Sequence, residues 1–256
     1  MSRKLISLSA ATFFIGSTAI ADVPSVATDI APVHSLVSRV MRNVGEPNLI
    51  IPTIASPHMY NLRPSEAKAL QDANLVFWMG DGLSPWMKNA LGSLASDAKI
   101  IELLDQKETE LLEFREGALF EEHDHDDHDD HDDHAHGKYD PHAWLSLSNA
   151  KNWLNLIAAQ LSASDPKNAG IYFANAAEAR EELESLIAEV NTLLDPVRGI
   201  KFVVFHDAYQ YFEHTFDIQA SGAIALGDAS APSPARISEV QGRIKEEGID
   251  LSLIHI

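Results

Sequence analysis

The sequence contains no cysteine, and its basic residues are scarce. Without cysteine, the chain can form no disulfide framework and can carry no lipid on an N-terminal cysteine. Its 19 Lys and Arg residues stand against 38 Asp and Glu residues, which gives a formal net charge of −19. A chain this acidic is repelled by nucleic acids and by anionic membrane surfaces. We therefore expect cations as partners, and no nucleic acid.

The sequence also lacks the short motifs of several enzyme classes. It has no Gly-rich phosphate-binding loop, since the segment Gly80-Asp81-Gly82 is typical of a turn that ends a strand. It has no His-Glu-x-x-His pair of a zinc protease, and nothing in it resembles the nucleophile elbow of a hydrolase. These absences favour binding over catalysis.

The first 21 residues have the form of a secretory signal peptide. Arg3 and Lys4 precede a mostly apolar stretch at residues 5–20, which is too short and too polar to span a bilayer comfortably. The sequence Ala19-Ile20-Ala21 then matches the small-x-small pattern of a cleavage site. We predict cleavage after Ala21 and export of the mature chain to the periplasm.

A run of histidine and aspartate interrupts the chain at residues 123–136. It has too little apolar surface to form a core, so we predict a disordered loop over residues 117–138. Near neutral pH the imidazoles offer nitrogen lone pairs, while the aspartates concentrate cations around them. An acidic insert without a specific role is the alternative. We expect weak metal sites at the six histidines His123, His125, His128, His131, His134 and His136.

Elsewhere, short apolar runs typical of buried strands alternate with helical periodicity. The predicted strands cover residues 49–54, 75–79, 99–104, 201–205 and 218–226. Predicted helices cover residues 64–72, 85–94, 148–161, 208–214 and 234–247. One helix is unusually long, because Asp165-Pro166 opens it and Asp195-Pro196 closes it, over roughly 40 Å. We predict an α/β fold of two lobes, each with a mainly parallel sheet flanked by helices, joined by this rigid helix. The predicted domains are residues 22–164, the linking helix at 165–195, and residues 196–256.

Three histidines outside the insert lie where ligand sites usually form. His58 follows a predicted strand, His142 follows Asp140-Pro141, and His206 ends a strand just before Asp207. Ligands of open α/β sheets bind beyond the strand ends, and a neighbouring carboxylate or carbonyl can orient a metal-binding imidazole. Each histidine alone could be a turn or cap residue. Together they predict a tetrahedral zinc site that needs one further ligand.

These residues lie in motifs that resemble the ZnuA-like family, the periplasmic zinc-binding proteins of bacterial ABC uptake systems. The resemblance covers nearly all of the mature chain. It implies that His58, His142 and His206 bind zinc in the cleft between the lobes, and that an ABC permease receives the ion from a monomeric receptor. Manganese-binding relatives generally have a carboxylate in place of His206, so three imidazoles favour zinc. The matching segments are Pro32-Val33-His34-Ser35-Leu36, Leu62-Arg63-Pro64-Ser65, Asp140-Pro141-His142-Ala143-Trp144-Leu145-Ser146 and Phe205-His206-Asp207-Ala208-Tyr209.

The chain departs from the family pattern at two places. Pro57 stands where some zinc-binding members have a glutamate that serves as an auxiliary ligand. The family also continues beyond Ile256 into strands and helices that supply an acidic ligand, and residues 251–256 do not resemble it. We therefore expect a truncated or frame-shifted end, an incomplete second lobe and no ligand role for His255. Water or the insert would then complete the coordination.

Three classes of function fit these observations. The first is a zinc receptor that delivers the ion to a permease. The second is a zinc hydrolase, which needs an open coordination position and a general base, for which Glu213 or Asp207 is the candidate. The third is an adhesin or a passive metal store, in which the insert binds metal and the lobes are scaffold. The resemblance favours the receptor.

Overall fold

The structure is a computed structural model that describes residues 23–115, 119–120, 138–225 and 231–253. The predicted signal peptide, the six histidines of the insert and His255 lie outside these residues.

The first sheet has four parallel strands. These are β1 (Val26–Thr28), β2 (Asn48–Leu49), β3 (Leu75–Trp78) and β4 (Lys99–Glu102), in the order β2-β1-β3-β4. Helices α1 (Ala31–Met41), α2 (Pro64–Gln71) and α3 (Pro85–Leu94) lie in the connections between successive strands, because parallel strands require crossover connections. The strands therefore all end at the same edge of the sheet.

Two strand predictions for the first sheet need correction. Strand β1 was not predicted, although it lies in the middle of the sheet and is fully buried. The strand predicted at 49–54 ends early: Ile50 and Ile51 still donate N–H groups to β1 and to the residue after it, but Ile54 is 94% exposed. Pro52 explains this end, because it has no N–H to continue the ladder and its carbonyl accepts a turn hydrogen bond from Ala55.

Two helices follow the insert and pack against the first sheet's helices. They are α4 (Leu147–Ser164) and α5 (Ala169–Leu194), with a 3₁₀ turn at Pro166–Asn168 where the sequence predicted the long helix to begin. Tyr172 and Ala176 are buried on the first half of α5, which packs on α1 and α4. From residue 181 onward no residue of α5 is buried. The second half of α5 therefore contributes no fully buried residue to the first core, although Leu183 still packs against it.

The second sheet has three parallel strands. These are β5 (Phe202–His206), β6 (Ala223–Ala225) and β7 (Leu251–Leu253), in the order β6-β5-β7. Helices α6 (Gln210–Phe216) and α7 (Pro234–Glu247) lie in its crossovers. Among the described residues, the strand predicted at 218–226 begins only at Ala223, whereas α7 has the predicted limits. Ser233 caps the start of α7 through Arg236 N–H, and Gly248 ends it with a left-handed φ of 64°.

The predicted fold class is confirmed: parallel sheets are flanked by helices, and one long helix lies between them. We use "first lobe" for the first sheet with α1 to α4, and "second lobe" for the second sheet with α6 and α7. Among the helices of the described ranges, none has the length and apolar character that crossing a membrane requires.

Candidate metal centre

The three predicted histidines lie together although they are far apart in the sequence. Their ring centroids are 5.5 Å apart for His58 and His142, 5.7 Å for His58 and His206, and 4.9 Å for His142 and His206. One ring nitrogen from each lies within 4.8 Å of the others. Ligand atoms around one tetrahedral zinc ion are roughly 3.3 Å apart, so small side-chain rotations would bring these nitrogens to one ion. Within the described part of the chain, no other group of three His, Cys, Asp or Glu side chains converges in this way.

His142 is held by the carboxylate of Asp140. The Asp140 Oδ1 atom accepts hydrogen bonds from His142 Nδ1 at 2.6 Å and from the His142 backbone N–H at 2.9 Å. The exposed fractions are 1% for Asp140 and 4% for His142. Because a carboxylate accepts here, Nδ1 carries the proton and the lone pair of Nε2 is available to a metal. This is the orienting role that the sequence predicted for Asp140.

His206 is the last residue of β5 and is buried. The neighbouring Asp207 has a different partner from the one predicted, because its carboxylate accepts hydrogen bonds from Arg115 Nε, at 3.2 Å, and from Arg115 Nη2. Arg115 also donates to Glu213 on α6, at 2.6 Å and 3.2 Å. Burial acts to lower the pKa of Arg115, but its hydrogen bonds with Glu213 and Asp207 outweigh this and raise the pKa above its usual value. The guanidinium therefore stays charged beside two buried carboxylates.

His58 lies in the loop between β2 and α2 and is half-buried. The carbonyl of the preceding residue, Pro57, accepts hydrogen bonds from Trp86 Nε1 at 2.9 Å and from Ser84 Oγ at 3.1 Å. These two donors belong to α3 and to the residue that precedes it, so the peptide that bears His58 is fixed to the first lobe. Pro57 itself offers no side-chain ligand.

The loop is also fixed on its other side, where α2 begins. The Glu66 carboxylate accepts hydrogen bonds from the Arg63 N–H at 2.7 Å and from the Tyr60 hydroxyl at 2.9 Å. Glu66 therefore caps the start of α2 from the first turn of the helix.

Two further histidines lie outside the cluster. His34 is half-buried on α1, and its Nε2 lies 3.1 Å from the Pro47 carbonyl. His214 is exposed on α6, with its Nε2 at 3.5 Å from Glu110.

Arg115 was not predicted as a functional residue, although the chain contains a signal for it. Arg115 is the only Lys or Arg between Lys107 and Lys138, in the most acidic part of the chain. A single positive charge retained beside such a run indicates a specific acidic partner, but the partners Asp207 and Glu213 lie about 90 residues away in the sequence. Their identity depends on the tertiary structure.

The chain is similar to known proteins over most of its length. A sequence model of the family described as "ZnuA: Zinc-uptake complex component A periplasmic" matches residues 26–254. The chain is 42% identical over 247 residues to the high-affinity zinc uptake system protein ZnuA of Paracoccus denitrificans, covering 89% of this chain and 74% of that protein. The protein of the same name from Brucella abortus is 40% identical over 258 residues, covering 92% and 77%. A crystal structure of ZnuA is similar in fold, with a TM-score of 0.71 at 23% identity over 88% of this chain and 79% of that one.

Proposed function

This chain belongs to the ZnuA family of periplasmic components of zinc-uptake complexes, and we propose that His58, His142 and His206 hold the zinc ion that it captures for uptake. The observation that carries this proposal is the convergence of one ring nitrogen from each of three distant segments within 4.8 Å. Neutral imidazoles are typical ligands of zinc, and three protein ligands leave one position of a tetrahedral site to be filled.

Zinc fits these ligands better than manganese does. Manganese favours sites with carboxylate oxygens, whereas three imidazole nitrogens favour zinc among the metals that cells supply in quantity. The aspartates beside His142 and His206 in the sequence already have partners, since Asp140 orients His142 and Asp207 binds Arg115. The family works with an ABC permease, which in our proposal receives zinc from a monomeric receptor.

The structure favours transport over hydrolysis of a substrate. Both candidate general bases, Asp207 and Glu213, accept hydrogen bonds from the charged guanidinium of Arg115. A carboxylate in such an ion pair is a poor base, because abstraction of a proton would disrupt the pair. We therefore propose that the centre binds zinc without catalysing a reaction.

The remaining sequence predictions complete the proposal. Residues 1–21 are cleaved after Ala21, which places the mature chain in the periplasm with its relatives. The six insert histidines bind zinc weakly and collect it for the main site, since a segment that must become ordered on binding loses affinity. The main site then holds the ion for the permease.

Two matched substitutions test the main site. His206→Ala removes one proposed ligand, whereas His34→Ala removes a half-buried histidine on α1 that lies outside the cluster. Competition for zinc against a chromophoric chelator should show loss of the tight site in H206A and no change in H34A. Equal affinity in H206A and the wild-type protein would overturn the proposal.

A further inference from the structure

Two short segments form the stem from which the histidine-rich insert leaves the fold. We define the stem as residues 110–115 and 138–140. Its two sides pair in antiparallel fashion, since Asp140 N–H donates to Leu112 O at 2.9 Å, Phe114 N–H donates to Lys138 O at 3.4 Å, and Glu113 pairs with Tyr139. The stem leads directly into His142, the metal-site residue that follows it.

Tyr211, on α6 of the second lobe, joins both sides of the stem. Its hydroxyl donates to the Asp140 carbonyl at 2.8 Å and accepts from the Leu112 N–H at 2.9 Å. The side chain is 1% exposed. The second lobe is thus bonded to Asp140, the residue whose carboxylate orients His142.

Arg115, at the end of the stem, provides a second connection between the stem and the second lobe. Its guanidinium pairs with Asp207, which follows His206, and with Glu213 on α6; the exposed side-chain fractions are 13%, 6% and 5%. The Arg115 Cζ atom also lies 3.7 Å from the centroid of the Phe120 ring. Phe120 and Leu119, which fall within the predicted loop, pack against the core of the second sheet. The stem and residues 119–120 therefore lie on the second lobe.

These contacts connect two of the three histidines through one structure. His142 is held by Asp140, whose carbonyl binds Tyr211, and His206 precedes Asp207, which binds Arg115. Buried ion pairs contribute little to stability on balance, but they restrict the geometry of the groups that they join. We propose that the stem is a clasp between the lobes, in which Arg115 and Tyr211 position His206 relative to His142. The proposal rests on zinc binding by this cluster and extends it to how the site is held.

The clasp can be separated from a simple effect of charge. The guanidinium repels a zinc ion, so its loss without any change of geometry would tighten zinc binding. A positioning role predicts the opposite sign, since misplaced ligands bind zinc more weakly and release it faster. The double variant Arg115→Gln with Glu213→Gln removes one positive and one negative charge, and so keeps the net charge of the cluster.

The test compares the full-length wild-type protein with R115Q/E213Q, R115K and Y211F. We expect zinc release to be about 10- to 100-fold faster in R115Q/E213Q, the usual size of effects on groups that orient metal ligands. Lysine keeps the positive charge but lacks the planar guanidinium that donates to Asp207 and Glu213 together. The zinc release rate of R115K should therefore fall between those of this variant and the wild type. Y211F retains the packed ring and should show a smaller increase. The visible absorption of bound Co²⁺, which reports ligand geometry, should change in the same order.

The control is R42Q, because Arg42 also pairs with a glutamate but joins α1 to α5. It should leave zinc release and the Co²⁺ spectrum unchanged. If the double variant does not fold, R115K and Y211F decide the question. Wild-type release rates and spectra in the folded clasp variants would overturn the clasp and leave the zinc site standing. Absence of tight zinc binding by the wild-type protein would instead overturn the proposed function.

Discussion

Replacement of Asp140 by asparagine should weaken zinc binding with little effect on the fold. The aspartate accepts hydrogen bonds from both the ring and the backbone N–H of His142. Asparagine has the same shape and keeps one oxygen, but it lacks the negative charge that makes the imidazole a stronger ligand. Loss of such a partner usually weakens metal binding about 10- to 100-fold, which corresponds to about 1.4 to 2.8 kcal/mol.

Replacement by alanine should have an additional effect on stability. Asp140→Ala leaves the buried His142 N–H without its acceptor, at a cost of about 1–3 kcal/mol to the folded state. The metal-free D140A protein should therefore unfold at lower denaturant concentration than D140N. The two variants thus separate the role of Asp140 at the metal from its role in the turn before His142.

The affinity is measured by competition with a chelator, and the stability by urea unfolding of the metal-free protein. Asp195→Asn is a matched control, because Asp195 is an exposed carboxylate that pairs with Arg198 away from the cluster. A zinc affinity of D140N within about twofold of the wild type would refute the orienting role, because the effects expected for such groups are larger.

Three further predictions concern other parts of the chain. Burial raises the pKa of Asp29 from 3.8 to about 7 despite hydrogen bonds from the backbone. The folded state therefore retains this proton while the unfolded state loses it, and the contribution of Asp29 to stability falls as pH rises from about 4 to about 7, by on the order of 4 kcal/mol. The unfolding free energy of the metal-free wild type minus that of Asp29→Asn should therefore decrease over this pH range. A difference that stays constant would contradict the assignment. Trp86→Phe removes one of the two hydrogen-bond donors to the Pro57 carbonyl. It should weaken zinc binding by up to about tenfold in the chelator assay. An unchanged affinity would mean that the hydrogen bond from Trp86 does not position His58. Deletion of residues 121–136 should remove weak sites from a calorimetric zinc titration and leave the tight one, and loss of the tight site would refute the separation of the two.

The helices were predicted more accurately than the strands, because their ends carry local signals. Helices α3 and α7 have the limits expected from the sequence, and each begins with a proline at the first turn. Strand β1 was missed because three residues are too few to show a pattern. Its central place in the sheet comes from pairing with β2 and β3, which are distant in the sequence.

The residues around the cluster were only partly predictable. Asp140 lies two positions from His142, so its orienting role follows from local sequence, and the structure shows the bond. Asp207 is adjacent to His206 and supported the same expectation, but its partner is Arg115. The anchors of His58 were also missed, since Trp86 and Ser84 reach the Pro57 carbonyl only because α3 packs beside that loop.

The sequence by itself determined the α/β class, the long helix and the three histidines of the candidate site. These follow from periodicity, from prolines at helix starts and from motifs contained in a few adjacent residues, so each is a local property of the chain. The tertiary structure alone decided that the three rings converge and that Arg115 and Tyr211 tie the stem of the insert to the second lobe. Contacts between residues about 70 to 100 positions apart depend on how sheets and helices pack, and no local pattern of residues specifies that packing.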